Sequence, residues 1–397
     1  MYTQNTPVHV RLWHKGFWAL ACSNLLLTMS MYVFIPVMPS WLATRFGFDV
    51  VQIAMFFALH GIGIFLLGPL CSMLVERYRR NKVCALSIAW IALTNVSVFY
   101  FCKVHPEIIL SANTPFAFVI VSVVQIITSA MYGLSQMSLS GTLIIDVCES
   151  FQRTEANHSA AWFGRLGLAL GPIAGIVVDF HFGKDMVFIL SSAFSIIATF
   201  LVLMTNFPFR APVENIKTFC TDRFFLNSGK WLFANLFLIM LAAGIVIIHY
   251  NDICSYLLML CGFVIALLSQ KFVFANAELK SEILSALILI IGALLIMIFR
   301  GMQTAILSAA FLIGIGVGVA GARFLLFFIK LSRHCQRGTS QSTFFLTWQS
   351  GLATGAALGL LLGAKSQTYA VALCFVVLAL LMYHLFTHTW YMKNKSR

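Results

Sequence analysis

Apolar residues run through this chain in long unbroken stretches, separated by short polar breaks in which most of the Lys and Arg residues collect. Each stretch is about the twenty residues a helix needs to cross the roughly 30 Å hydrocarbon core of a bilayer, and none shows the alternation of barrel strands. The pattern predicts twelve spans: Gly16–Met38, Val51–Val75, Val83–Phe101, Phe116–Ile145, Ser159–Phe180, Asp185–Thr205, Trp231–His249, Cys254–Gln270, Glu282–Phe299, Gln303–Ile329, Thr343–Gly363 and Tyr369–His388. Arg11 and Lys15 precede the first stretch as in a signal peptide. That run is too long for one, and Pro36 and Pro39 follow it instead of a small-residue cleavage site, so it is read as the first span.

Composition narrows the class. Only 10% of the 397 residues are charged and 60% are hydrophobic; soluble proteins carry about 25% charged residues. This excludes a soluble enzyme, a nucleic-acid-binding domain and a disordered chain. The net charge of +13 is therefore read through topology. Nineteen Lys and Arg residues fall in the two tails and the even-numbered loops, against five in the odd-numbered loops, which predicts an inner (cytoplasmic) membrane protein with both termini cytoplasmic. The longest polar break divides the chain into an N-terminal half (1–205), a cytoplasmic linker (206–230) and a C-terminal half (231–397). The halves share a repeat: Gln152, Arg153, Gly167, Gly171 and Gly175 recur at one constant offset as Gln336, Arg337, Gly351, Gly355 and Gly359. The fold class expected is all-α integral membrane, twelve transmembrane helices in two parallel six-helix repeats that rock about a central site.

The loop after span two reads Gly63, then Ser72, then Glu76-Arg77-Tyr78-Arg79-Arg80-Asn81-Lys82. It resembles the signature loop of the major facilitator superfamily, with Ser72, Glu76 and Arg79 standing where that pattern has Gly, Asp and Gly. The resemblance implies a gating latch of Gly63, Ser72, Glu76, Arg77, Arg80 and Asp146, the acid at the end of span four. Solvated topology determinants are the other reading of these charges. Span five, with Gly167, Gly171, Pro172 and Gly175, resembles the helix motif of the family's antiporters, except that Ile176 replaces its last glycine. Met31–Pro39 is similar to the proline-bearing end of the first helix in twelve-span drug-efflux members, and a plain helix stop explains it equally. One family feature is missing: Ser129 stands where many proton-coupled antiporters have a buried arginine in span four.

Polar residues inside the spans are the candidates for binding. His60 lies near the midplane and suits proton exchange or a structural hydrogen bond. Asn24 and Gln125 are the favoured uncharged contacts. Arg165 and Arg323 lie about 10 Å inside their spans; they read either as cations for an anionic substrate or as gate residues. No Asp or Glu is expected near a span centre. His384 and His388 have no third ligand nearby, and no nucleotide motif occurs, so no metal or cofactor is expected. The reading is a non-enzymatic, monomeric secondary active transporter of a small molecule, working by alternating access in the lipid bilayer, with a proton as candidate coupling ion. Export is favoured; an uptake symporter or facilitator, or a non-transporting membrane sensor of the same fold, is the alternative.

Overall fold

The computed structural model describes residues 11–104, 114–207, 217–274, 278–299, 303–363 and 366–395. Much of the expected linker and the loop charges Arg210, Arg300, Lys365 and Arg397 lie outside these. Eleven helices are long and apolar enough to cross a membrane, and one bent pair makes a twelfth. Spans one to six are Lys15–Phe46, the pair Val50–Gly63 and Gly68–Arg77, Arg80–Val104, Pro115–Asp146, Arg153–Phe182 and Met186–Met204. Spans seven to twelve are Asn227–Ile247, Ile253–Phe272, Leu279–Phe299, Gln303–Leu331, Arg337–Leu362 and Ser366–Asn394. Lys15, Arg80, Lys330 and Asn394 thus fall at one face, here termed the basic face.

Three spans depart from a plain straight helix. Span one does not stop at its prolines. It breaks at Val33, resumes at Phe34 and runs to Phe46, where Gly47 closes it at φ +67°. Pro36 falls in the first turn of the resumed segment, where its missing N–H is not needed. Span two bends by 45° between Gly63 and Gly68. Span four ends in a π-helical turn, Leu139–Leu143, before Asp146.

The halves pack alike. Span one lies against five and six, three against four and six, and two against four; adding six to each number gives the contacts of the second half. Between the halves, two meets eleven and five meets eight, a pair of contacts that also interconvert on adding six. Glycine carries this symmetry, because small residues let membrane helices approach backbone to backbone. A Cβ on Gly167, Gly171 or Gly175 would crowd the carbonyl oxygens of Leu25, Met29 and Val33 in span one. On Gly351, Gly355 or Gly359 it would crowd those of Phe237, Leu241 and Ile245, which stand in span seven at the positions equivalent to Leu25, Met29 and Val33.

At the basic face the halves are shut. Gly141, in the π-helical turn of span four, meets Gly338 of span eleven so closely that a Cβ on Gly338 would overlap the Gly141 carbonyl oxygen. The linker clasps both halves there. The Arg223 guanidinium donates to Glu76 of span two at 3.0 Å, while the Arg223 and Leu226 amides donate to the hydroxyls of Thr339 and Thr343 at 2.9 and 2.8 Å.

Candidate functional site

A cavity of about 550 Å³ occupies the middle and the far side of the molecule, among spans one, two, three, four and six and the inner edge of eleven. Every lining residue lies at mid-span or toward the face opposite the basic one, so the cavity is closed on the basic side. Its wall is mostly apolar, including Met38, Phe56, Phe57, Phe101, Val121 and Leu352. Polar groups gather at its inner end: Tyr32, His60, Gln125, Thr128 and Gln349.

The hydrogen bonds there fix individual roles. Ser129 has one hydroxyl proton and donates it to the Gln125 carbonyl at 2.7 Å. The 2.8 Å contact between Ser129 Oγ and His60 Nδ1 therefore requires Nδ1 to carry the hydrogen, which leaves Nε2 as the basic nitrogen of the ring. The His60 ring stands 5.9 Å from that of Tyr132. Across the interface, the Gln349 amide of span eleven donates to the hydroxyls of Tyr32 and Tyr132 at 2.8 and 2.9 Å. One side chain of the C-terminal half thereby holds two helices of the N-terminal half at the floor of the cavity.

Of the candidates named from sequence, the structure brings His60 and Gln125 together at this cavity. Asn24 does not reach it. Its amide donates to the Ala160 carbonyl at 2.8 Å and ties span one to span five. Arg323 is not a free cation either, since it forms an ion pair with Glu282 of span nine. Its partner Glu282 is a fully buried carboxylate in the first turn of span nine, at the basic-face end rather than near a span centre. The helix of span nine begins at Leu279, ahead of the hydropathy boundary, so the acid lies inside the bundle where Arg323 meets it.

Arg165 remains a buried cation. It is 2% exposed, and none of its three guanidinium nitrogens has a hydrogen-bond partner among the described residues. Its guanidinium carbon lies 4.6 Å over the Trp162 ring and 5.7 Å from the Phe344 ring centre, beside Gly321 and Trp348.

The charges at the basic face pair differently from the expected latch. Asp146 is bound by Arg80 at 2.6 Å, not by Arg77, which is exposed. Glu76 is bound by Arg223 of the linker. Ser72 is buried, and Gly63 lets span two close on Ser129 and Ile126 of span four. At the opposite face, Asp185 accepts from Arg45 at 3.0 Å and from the Trp41 indole at 2.7 Å, contacts internal to the N-terminal half.

Sequence reasoning missed Tyr132, Gln349 and the Tyr32 hydroxyl. A signal for Gln349 existed: it is the repeat equivalent of Arg165, at the same offset that relates the glycines.

Among solved structures with the same architecture are several named as transporters. The chain superimposes on a bacterial homologue of the iron transporter ferroportin in its outward-facing state with a TM-score of 0.66 at 16% identity, covering 96% of this chain and 100% of that one. A mutant of the nucleoside transporter NupG gives 0.65 at 13% identity, over 94% and 100% of the two chains. The human organic anion transporter MFSD10 gives 0.62 at 15% identity, over 93% and 98%. At such identities the likeness is one of fold. No curated protein sequence matches the chain. The sequence model of a single family spans residues 20–356, and with the twelve helices and the repeated packing described above it places the chain in the Major Facilitator Superfamily.

Proposed function

We propose that the protein is a secondary active transporter that moves a small, largely apolar molecule across the cytoplasmic membrane by alternating access, in the direction of export. The observation that carries this reading is the cavity of about 550 Å³, closed below by the Gln349 bridge and the Gly141–Gly338 contact. A solute held there reaches the basic face only if the halves, 1–205 and 231–397, part at that face. The 19:5 distribution of loop charges supports a cytoplasmic basic face. The latch in this reading comprises Arg80 with Asp146, Glu76 with linker Arg223, and the close crossing at Gly63. The Glu76–Arg223 pair ties the linker to the N-terminal half, while Arg80–Asp146 and the Gly63 crossing hold spans two, three and four in the shape that meets span eleven; loosening either favours opening of the basic face. The stripe Gly167, Gly171, Pro172 and Gly175 serves as a bearing that keeps span five on span one during the motion. The protein works as a monomer in this scheme.

Proton coupling runs through His60 Nε2, the ring nitrogen that the Ser129 contact leaves basic at the inner end of the cavity. The neighbouring folds carry iron, nucleosides and organic anions by name; their diversity supports transport without selecting a solute. The test is transport by purified protein in liposomes, using a panel of lipophilic dyes and a pH gradient. The expected result is accumulation against a gradient that His60→Gln abolishes while substrate counterflow persists. Binding of dyes without flux under any gradient overturns transport. Undiminished accumulation by His60→Gln overturns the role of His60.

A further inference from the structure

We propose that Arg165 is the binding residue for the carboxylate of an organic monoanion, reached from the basic face when the halves part there. The proposal rests on the alternating-access reading above, because Arg165 is buried and does not line the cavity described there.

Four observations carry it. First, Arg165 is buried with all three nitrogens unpartnered among the described residues, whereas the other membrane-embedded arginine, Arg323, is neutralised by Glu282. A buried unpaired cation is expensive, and such residues in membrane proteins face a ligand path. Second, the adjoining Trp162 indole N–H is left open, as are both amide atoms of Asn157 two turns earlier on span five. Gln341 of span eleven, the repeat equivalent of Asn157, has an open carbonyl oxygen. All lie in the basic-face half of their spans. Third, the guanidinium lies over the Trp162 ring and near that of Phe344. These cation–π contacts engage the charge while the guanidinium nitrogens stay without hydrogen-bond partners among the described residues, open to a bidentate carboxylate.

The fourth observation comes from the repeat. Gln349, the equivalent of Arg165, directs its amide across the interface to the hydroxyls of Tyr32 and Tyr132. The equivalent of Tyr32, by the register that matches Leu25 with Phe237 and Met29 with Leu241, is Gly244, which has no hydroxyl to offer. The donor position is duplicated, then, but this acceptor is not, and a ligand carboxylate takes its part. A single uncompensated cation matches a monoanion; a phosphate dianion would need a second, and Arg323 is taken. The aromatic walls of Trp162, Phe344 and Trp348 suit a flat apolar body.

The probe is 2-naphthoate, with 2-naphthamide as its uncharged isostere, measured by equilibrium dialysis on the full-length protein in detergent. Spin labels at the exposed positions 79 and 333 report, in the same preparation, whether the basic face opens. The expected result is saturable naphthoate binding, no naphthamide binding, a loss of more than about tenfold in Arg165→Gln and a smaller loss in Arg165→Lys, which keeps the charge without the fork. Equal binding of acid and amide by the native protein, which requires no variant, overturns the proposal. So does undiminished binding by Arg165→Gln, or absence of binding while the labels show an open basic face. If the labels show that the face never opens, the alternating-access reading fails and this inference fails with it.

Discussion

Spans five and eleven are two copies of one helix, and they agree in packing while differing in chemistry. Each lays three glycines, spaced one helical turn apart, against the backbone of its partner, span one or span seven, at matching carbonyls. At the next position facing across the interface, one copy has Arg165 and the other Gln349. The glutamine is satisfied by two tyrosine hydroxyls of the opposite half, and the arginine has no polar partner there among the described residues. Duplication thus preserved what holds a half together, because a Cβ at these glycines would crowd the facing helix, against backbone or Cβ atoms at all but Gly167, where the Thr28 side chain is met first. It released what the halves present to each other, because a side chain at the seam is constrained only by the solute and by the state in which it is buried.

Substitutions in the two halves should separate shared packing from divergent chemistry. The largest effect is expected where a neutralised arginine is made to resemble Arg165. Glu282→Gln removes the partner of Arg323 and should destabilise the protein by about 3–5 kcal/mol, seen as a large fall in the detergent melting temperature. Next, Gly171→Val and Gly355→Val should each cost about 1–3 kcal/mol by overpacking, with like effects in the two halves. If only one were harmful, the two stripes would not be equivalent bearings. Asp146→Asn should shift the balance toward the basic-face-open state by about 1–3 kcal/mol, read as greater reactivity of a cysteine placed beside Gly141. Smaller again, Gln349→Leu removes the amide donor shared by two tyrosine hydroxyls, at about 1–2 kcal/mol, and should loosen the floor of the cavity without unfolding either half. Unchanged dye affinity and unchanged exchange between states in that variant would reduce Gln349 to a packing residue.

The sequence made the architecture legible because bilayer length and loop charge act on whole segments. Twelve spans, the parity of the basic loops and the repeat all follow from positions that no neighbour has to specify. His60 and Gln125 were legible for the same reason: polar side chains at mid-span are few. The pairings were not. Arg77 and Arg80 are both basic and close in sequence, and only the break in the chain between them decides which one meets Asp146. Glu282 sits at a hydropathy edge, where a small shift in the helix start separates an interfacial acid from a buried one. Tyr132 and the Tyr32 hydroxyl are hidden in apolar runs, since a tyrosine counts as hydrophobic until a partner for its hydroxyl is known.

Distances across the two faces of the same molecule test the account most directly. Spin labels at positions 79 and 333 span the basic face, and labels at 50 and 251 span the opposite face; all four residues are exposed at helix ends or loops. The pairs are measured by pulsed dipolar spectroscopy in liposomes, with Asp146 intact and with Asp146→Asn. If the halves rock, the substitution lengthens the first distance and shortens the second together. Two distances that stay fixed, or that lengthen in step, would contradict alternating access.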